Sequence, residues 1–256
     1  MVFGFFRAWK RRKRLAQRFP RTWEDVLKSL PFLGALTRTE NRRLHDVVRI
    51  LVEEKRWEGC GGLELTDEMK VEIAAQAARL VLGHEDEPFP QVTGVLVYPT
   101  AFVVPPRPRT MGVIVEAGAV NAGEAWHRGP IVLSWDHVAA EGCAAGTAHN
   151  VVIHEFAHAL DLEDGWADGT PDLPSRATYR TWTQVMAEEY KALVEAGKRG
   201  EVTLLDPYGA TNSAEFFAVA TETFFGIPHR LRERHPSLYD VLSRFYRQDP
   251  AARPET

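Results

Sequence analysis

Apolar residues recur at intervals of three and four along four long stretches of this chain. This spacing places them on one face of a helix, and the ends of the stretches carry helix signals. The second stretch begins at Thr66, has acids in its first turn and closes at Gly83. In the fourth, Asn212 or Ser213 is a suitable N-cap and Gly226 is the stop. The four predicted helices span residues 39–59, 66–83, 176–197 and 212–226.

The middle of the chain is instead rich in β-branched and aromatic residues. Prolines interrupt one such run at residues 94–106, and shorter runs lie at 111–120 and 129–135. A further helix is predicted over residues 150–161, where a loop rich in Gly and Asp ends it. Because helices, strands and helices come in this order, the pattern favours an α+β fold, mostly helical with a small mixed sheet, over alternating βαβ units.

Composition and cysteine content narrow the class of protein. No apolar run approaches the ~20 residues of a membrane span. The chain has two cysteines, Cys60 and Cys143, and neither belongs to a CxxC pair. A disulfide framework or a cysteine-based zinc knuckle is therefore not expected. We expect a reducing, cytoplasmic location.

Basic residues are concentrated at the start of the chain. Residues 1–21 carry eight Lys or Arg and no acid. Since the formal net charge of the chain is −4, the remaining residues carry a net charge of −4 − 8 = −12. A signal peptide places basic residues before its apolar stretch, whereas Phe3, Phe5 and Phe6 precede them here. We expect a solvated, partly disordered leader. A weak contact with anionic membranes is the alternative, and direct nucleic-acid binding is not expected.

His154, Glu155 and His158 carry the candidate chemistry of helix 150–161. Residues four apart share a helix face, so both imidazoles can bind one Zn²⁺. Glu155 lies beside that face, where it can reach an attacking water without binding the ion, which is the HExxH pattern of metalloproteases. The alternative is a core helix whose histidines bond locally. However, the helix is apolar on most sides, and burying these polar groups without partners would be costly.

A catalytic zinc needs a third protein ligand. Glu215 and Glu222 are seven residues apart in the aromatic-rich helix 212–226, so they share one face, and spacing alone does not choose between them. For Glu222 a surface position is an equally good interpretation. Asp161 shares a face with both histidines, and it could orient an imidazole or only help to end the helix.

Longer motifs resemble one known family. They are YPTAFVV, GPIVLSW, HEFAHALD, DPYGATNSAEFFAV, FPRTWEDVL and HPSLYDVLSRFYRQDP. Together they resemble the Mlc titration factor A family, bacterial zinc metallopeptidases with a gluzincin-type site that is similar to the catalytic domain of anthrax lethal factor. The resemblance covers about residues 22–250 and leaves the basic leader outside it.

The resemblance implies a zincin-like fold and ranks the two glutamates. In this family the third ligand is the glutamate of an Ala-Glu pair, seven residues after a tyrosine. Here the pair is Ala214-Glu215 and the tyrosine is Tyr208. Tyr208 would then stabilise the developing oxyanion, and Glu222 would support the ligands rather than bind zinc. The implied ligands of one Zn²⁺ per chain are His154, His158 and Glu215.

The implied activity is hydrolysis of peptide substrates at their amino ends, with Glu155 as the base. The family also implies a protein partner, a transcriptional repressor of the Mlc type. The alternative is a regulatory module that titrates a transcription factor, with peptidase activity secondary or vestigial. We expect one catalytic domain over residues 22–250, helical to about residue 90 and catalytic from about 91. Strand 131–135 is expected to be the sheet edge on which an extended peptide pairs.

Overall fold

Helices dominate the part of the chain that the computed structural model describes, residues 2–103, 120–121, 123–124, 129–142 and 146–253. The helices are α1 (Val2–Leu15), α2 (Arg21–Ser29), α3 (Arg38–Glu54), α4 (Asp67–Ala78), α5 (Trp135–Gly142), α6 (Val151–Asp161), α7 (Arg176–Lys198), α8 (Ser213–Gly226), α9 (Pro228–Arg234) and α10 (Pro236–Tyr246). The strands are β1 (Arg56–Gly59), β2 (Gly94–Tyr98), β3 (Phe102–Val103), β4 (Val120–Asn121), β5 (Gly123–Glu124) and β6 (Pro130–Ser134). The prediction of a mostly helical protein with a small sheet is confirmed.

Side-chain caps set the starts of the predicted helices. Thr37 accepts the backbone N–H of Glu40, whose carboxylate accepts the N–H of Thr37, so a capping box begins α3. Thr66 caps α4 and Asn212 caps α8, as their sequences predict. These caps satisfy N–H groups that have no partner inside the helix.

The first predicted helix is too long at its C-terminal end. Residues 56–59, which the sequence pattern includes in the helix, form β1 and pair in parallel with Gly94–Val97 of β2. Lys55 already has an extended backbone, and its ammonium donates to the carbonyls of Phe89 and Val92. Hydrogen bonds to a distant segment therefore override the local preference.

The main sheet has the strand order β1-β2-β6-β5. β1, β2 and β6 are parallel, and the two-residue strand β5 is antiparallel to β6. The expectation that residues 131–135 form a sheet edge is therefore wrong, because β6 has a neighbour on each side. β5 occupies the edge instead. The predicted strand 111–120 lies outside the described residues except for Val120 in β4.

The core lies between the sheet and the helices that follow it. α6 packs against α8 and β6, and the buried aromatic side chains of α8 extend the contact toward α10. Phe156 of α6 contacts Phe89 edge-on, with 4.7 Å between ring centroids. α6 and α8 are buried on most sides, and His154 faces Glu215 and Glu222 between them.

The basic leader contains helix α1, whereas the sequence favoured a partly disordered segment. Arg11 joins α1 to the rest of the protein, since it donates to Glu54 at 3.0 Å and to Glu87 at 3.0 Å. Arg14 lies 3.3 Å from Glu53. Acids of α3 and of the segment between α4 and β2 thus hold this basic helix in place. Among the described residues, no helix is both long and apolar enough to cross a membrane.

Candidate active site

α6 presents His154, Glu155 and His158 from one helical turn. Asn150 begins the helix, since its side-chain oxygen accepts the N–H of Ile153 at 2.9 Å. The imidazole rings of His154 and His158 lie edge to face, with centroids 4.8 Å apart. Glu155 lies between them in sequence and is only 5% exposed.

Glu215 joins the two imidazoles from the first turn of α8. Its carboxylate lies 3.0 Å from His154 Nε2 and 3.4 Å from His158 Nε2, and the two Nε2 atoms are 3.2 Å apart. In the described part of the chain, His154, His158 and Glu215 form the group of residues whose donor atoms could hold a metal ion.

The size of this triangle fits a zinc ion. Tetrahedral zinc with nitrogen and oxygen ligands at 2.0–2.2 Å places neighbouring ligand atoms roughly 3.3–3.6 Å apart. The observed separations of 3.0, 3.2 and 3.4 Å lie close to that range. Two imidazoles and one carboxylate are also a donor set that zinc prefers.

Glu222 contacts the same histidine from its other side. One carboxylate oxygen lies 2.6 Å from His154 Nδ1, and the other accepts the backbone N–H of Asn150 at 2.7 Å. Since a carboxylate accepts, Nδ1 of His154 donates to Glu222, and its Nε2 points toward Glu215 and the cluster. Glu222 is 7% exposed, so the surface alternative for this residue is wrong.

Electrostatics within the site follow from these contacts. Burial by itself would lower the pKa of His154, but hydrogen bonds to Glu215 and Glu222 outweigh it and raise that pKa well above its usual value. Burial would raise the pKa of Glu215, yet hydrogen bonds from His154 and His158 hold it far below the usual value. Glu215 is therefore a carboxylate at neutral pH.

Tyr208 stands at the rim of the cluster in the 3₁₀ turn Pro207–Ala210. Its ring centroid is 6.1 Å from that of His154, and 55% of the residue is exposed. Asp206 fixes the turn by accepting the N–H of Tyr208 at 2.7 Å, and its other oxygen lies 3.3 Å from His149 Nε2. The tyrosine ring therefore lies beside His154 and is open to solvent.

Asp161 does not orient an imidazole in the described structure. Its side chain is fully buried, and one oxygen accepts the backbone N–H of Gly169 at 2.9 Å. Gly169 in turn packs on Ser213 at the start of α8, since a Cβ on Gly169 would lie 2.3 Å from the Ser213 carbonyl oxygen. Asp161 thus holds the loop after α6 against α8. Burial, more than any charge, raises its pKa to about 7.

Sequence reasoning missed four polar residues that support the site. Asn150 donates through its side-chain amide to Gln76 Oε1 at 2.7 Å, which ties α6 to α4. His149 and Asp206 join the start of α6 to the turn that carries Tyr208. The Asp-Pro step at Asp206 is a local turn signal that could have indicated its capping role. The contact with Gln76 has no such signal, because the residues are 74 positions apart.

Known proteins resemble this chain over almost its whole length. Residues 6–247 match a family model described as glucose-regulated metallo-peptidase M90. An uncharacterized protein of Synechocystis sp. is 38% identical over 245 residues, 94% of this chain and 89% of that protein. Mlc titration factor A of Serratia proteamaculans is 36% identical over 90% of this chain and 88% of its own length. Mlc titration factor A of Yersinia pestis is 33% identical over 96% of this chain and 90% of its own length.

The family match corrects the N-terminal boundary of the resemblance. The motifs placed the resemblance at about residues 22–250, whereas the family match begins at residue 6 and includes most of the basic leader. Most of helix α1 therefore lies inside the matched region.

Proposed function

This chain belongs to the family of glucose-regulated metallopeptidases M90, and on that premise we propose that it is a zinc-dependent peptidase with a zincin-like, gluzincin-type site. One observation carries the proposal. His154, His158 and Glu215 form a triangle with edges of 3.0–3.4 Å, and Glu155 follows His154 directly on the same helix. A purely structural metal site has no need of a buried base beside it.

The residues of the cluster have distinct proposed roles. Bound zinc would supply Lewis-acid chemistry, activating a water and polarising the scissile carbonyl. His154, His158 and Glu215 would hold the ion. Glu155 would take a proton from the attacking water and return it to the leaving amine. The C–N bond of the peptide is broken, the proton removed from water ends on the leaving amine, and the hydroxyl ends on the acyl carbon.

Two further residues would assist these steps. Tyr208 would donate a hydrogen bond to the carbonyl oxygen as negative charge develops on it. Its exposure at the rim supports this role, since a substrate can reach it. Glu222 would hold His154 by Nδ1, which keeps the ring oriented and makes Nε2 a better ligand. Asp161 would act on the loop after α6 rather than on either imidazole.

The test is a panel of chromogenic substrates with and without a chelator. Amino-acid anilides with a free amine are compared with the same anilides acetylated at the amine. A zinc peptidase of aminopeptidase preference, the type that the family resemblance favours, cleaves only the free amines, loses activity with the chelator and regains it with zinc. Activity that the chelator leaves unchanged would refute the zinc proposal.

A regulatory function is the second candidate, and the names of two relatives favour it. In that case the chain would bind a transcriptional repressor of the Mlc type, and peptide cleavage would be secondary. Glu155→Gln separates the two functions, because it removes the base without altering the outer surface. If purified Mlc-type repressor binds this variant and the parent equally, binding does not depend on catalysis.

The location and the domain boundaries of the protein are also proposals. We propose a cytoplasmic protein with one catalytic domain over residues 22–250, since Trp23 of α2 and Leu242 of α10 belong to one continuous core. Contact of residues 1–21 with anionic membranes would rest on Lys10, Arg12 and Lys13, which are exposed on α1. The side chains of Phe3, Phe5 and Phe6 lie outside the described part. Equal co-sedimentation with anionic liposomes before and after removal of residues 1–21 would rule the contact out.

A further inference from the structure

A cavity of about 370 Å³ adjoins the N-terminal end of α6. Asn150, Ile153 and Glu222 line it, but among the described residues its lining does not include His154, His158 or Glu215. Pockets for small ligands typically measure about 300–1,000 Å³. The cavity is therefore large enough for a small molecule and distinct from the metal cluster.

Arg79 is the charged group that distinguishes this cavity. It follows α4, and its Nη2 donates to the carbonyl of Phe225 at 2.7 Å. Its guanidinium carbon lies 4.4 Å from the ring centroid of Phe32 and 5.5 Å from that of Phe225. Burial and the nearby charge of Arg253 lower the pKa of Arg79 to about 9, so the group is a cation at neutral pH.

Among the described residues, no carboxylate pairs with Arg79, whose hydrogen bond goes to the carbonyl of Phe225. Arg230 also lines the cavity, and the three other charged lining residues have contacts of their own. Arg253 is paired with Glu40. Glu222 accepts the backbone N–H of Asn150, and Glu141 accepts the backbone N–H of Val151. Arg79 is half-buried, and its remaining N–H donors favour an anion in the cavity.

We propose that this cavity binds a small organic anion whose carboxylate or phosphate group pairs with Arg79 and whose apolar body lies against Phe32 and Phe225. A guanidinium has five donors in a planar fork, and the carbonyl of Phe225 uses only part of that capacity. The bound anion would share the cavity with Asn150, which begins α6. Binding is independent of the peptidase proposal, because it needs none of the clustered ligands.

The test uses the zinc-loaded full chain and calorimetric titration with benzoate, inorganic phosphate and the neutral analogue benzamide. Benzoate or phosphate should bind at least ten-fold more tightly than benzamide. Arg79→Gln should weaken that binding at least ten-fold, whereas Arg199→Gln, a change at an exposed arginine paired with Glu201, should leave it unchanged. Binding by phosphate alone or by benzoate alone identifies which anionic group the cavity takes.

Three results would overturn the proposal. They are absence of binding up to 10 mM of either anion, equal binding of benzamide, and full binding by Arg79→Gln. The last result would place the anion on the metal instead. Should Arg79→Gln fail to fold, as judged by circular dichroism, Ala35→Trp fills the lining from a half-buried position and keeps Arg79. Unchanged anion affinity in that variant would also refute the proposal.

Discussion

Glu222 Oε1 lies 2.6 Å from Nδ1 of His154, whereas the other ring nitrogen of His154, Nε2, faces Glu215. The two glutamates therefore contact one imidazole in different ways. Glu215 shares the cluster with His158, whereas Glu222 connects His154 to the backbone N–H of Asn150. Because only Glu215 reaches both Nε2 atoms, the two residues should respond differently to the same substitution.

Glu215→Gln and Glu222→Gln should differ in metal content. Removing the Glu215 charge takes a ligand from zinc, so this variant should lose both the metal and activity. Glu222→Gln should keep zinc, with affinity or turnover reduced about 10–100-fold, the usual loss when a group supporting a ligand is removed. Zinc analysis after dialysis and turnover of an anilide measure both effects. Metal loss in Glu222→Gln together with retention in Glu215→Gln would reverse the two roles.

Glu155→Gln should separate zinc binding from catalysis. The substitution keeps the shape of the side chain but removes its ability to accept a proton. We expect zinc content near one per chain and a fall in kcat of about 10²–10⁴-fold, the usual contribution of a general base. His154→Ala is the matched variant, and it should lose zinc as well as activity. Full turnover by Glu155→Gln would exclude this residue as the base.

Tyr208→Phe should lower kcat while leaving zinc bound. The phenol lies beside His154 but is outside the ligand triangle, so its removal does not alter the metal site. Loss of one hydrogen-bond donor to a developing oxyanion typically costs about 10²–10³-fold in kcat. Tyr179→Phe is a control at a similarly exposed tyrosine, 51% exposed against 55% for Tyr208. Equal kcat values for the two variants would mean that the phenol does not act on the substrate.

Arg11→Gln should destabilise the folded protein. Arg11 donates to Glu54 and Glu87, and its removal leaves the largely buried Glu54 without that partner. Hydrogen bonds to charged groups contribute about 1.5–3 kcal/mol, so the free energy of unfolding should fall by roughly that amount in urea. Lys10→Gln, on the exposed side of α1, should have no measurable effect. Equal stability of the two variants would show that α1 is not held by this ion pair.

Glu163→Gln should remove part of the pH dependence of stability. Burial, together with the negative charges of Asp172 and Asp86, raises the pKa of Glu163 to about 7. The folded protein then binds a proton that the unfolded chain has already released, so this group makes stability fall as pH rises from about 4.5 to 7. Unfolding midpoints at pH 5 and pH 8 should differ less in Glu163→Gln than in the parent. Glu201→Gln, an exposed control, should keep the parent difference.

Sequence determined the local features of this protein. Apolar periodicity and caps such as Thr66 and Asn212 place α4 and α8, because a helix is held by contacts within a few residues. The same local geometry brings His154 and His158 onto one face of α6. Those parts needed no knowledge of the rest of the chain.

The tertiary structure decided the relationships between distant segments. Residues 56–59 became a strand because β2 lies beside them, and β6 became an interior strand because β5 covers its edge. Spacing on α8 left Glu215 and Glu222 equivalent. They differ only because α6 packs on α8, bringing His154 to residues 61 and 68 positions away in the chain. Such long-range contacts depend on the packing of the whole core, so no local pattern specifies them.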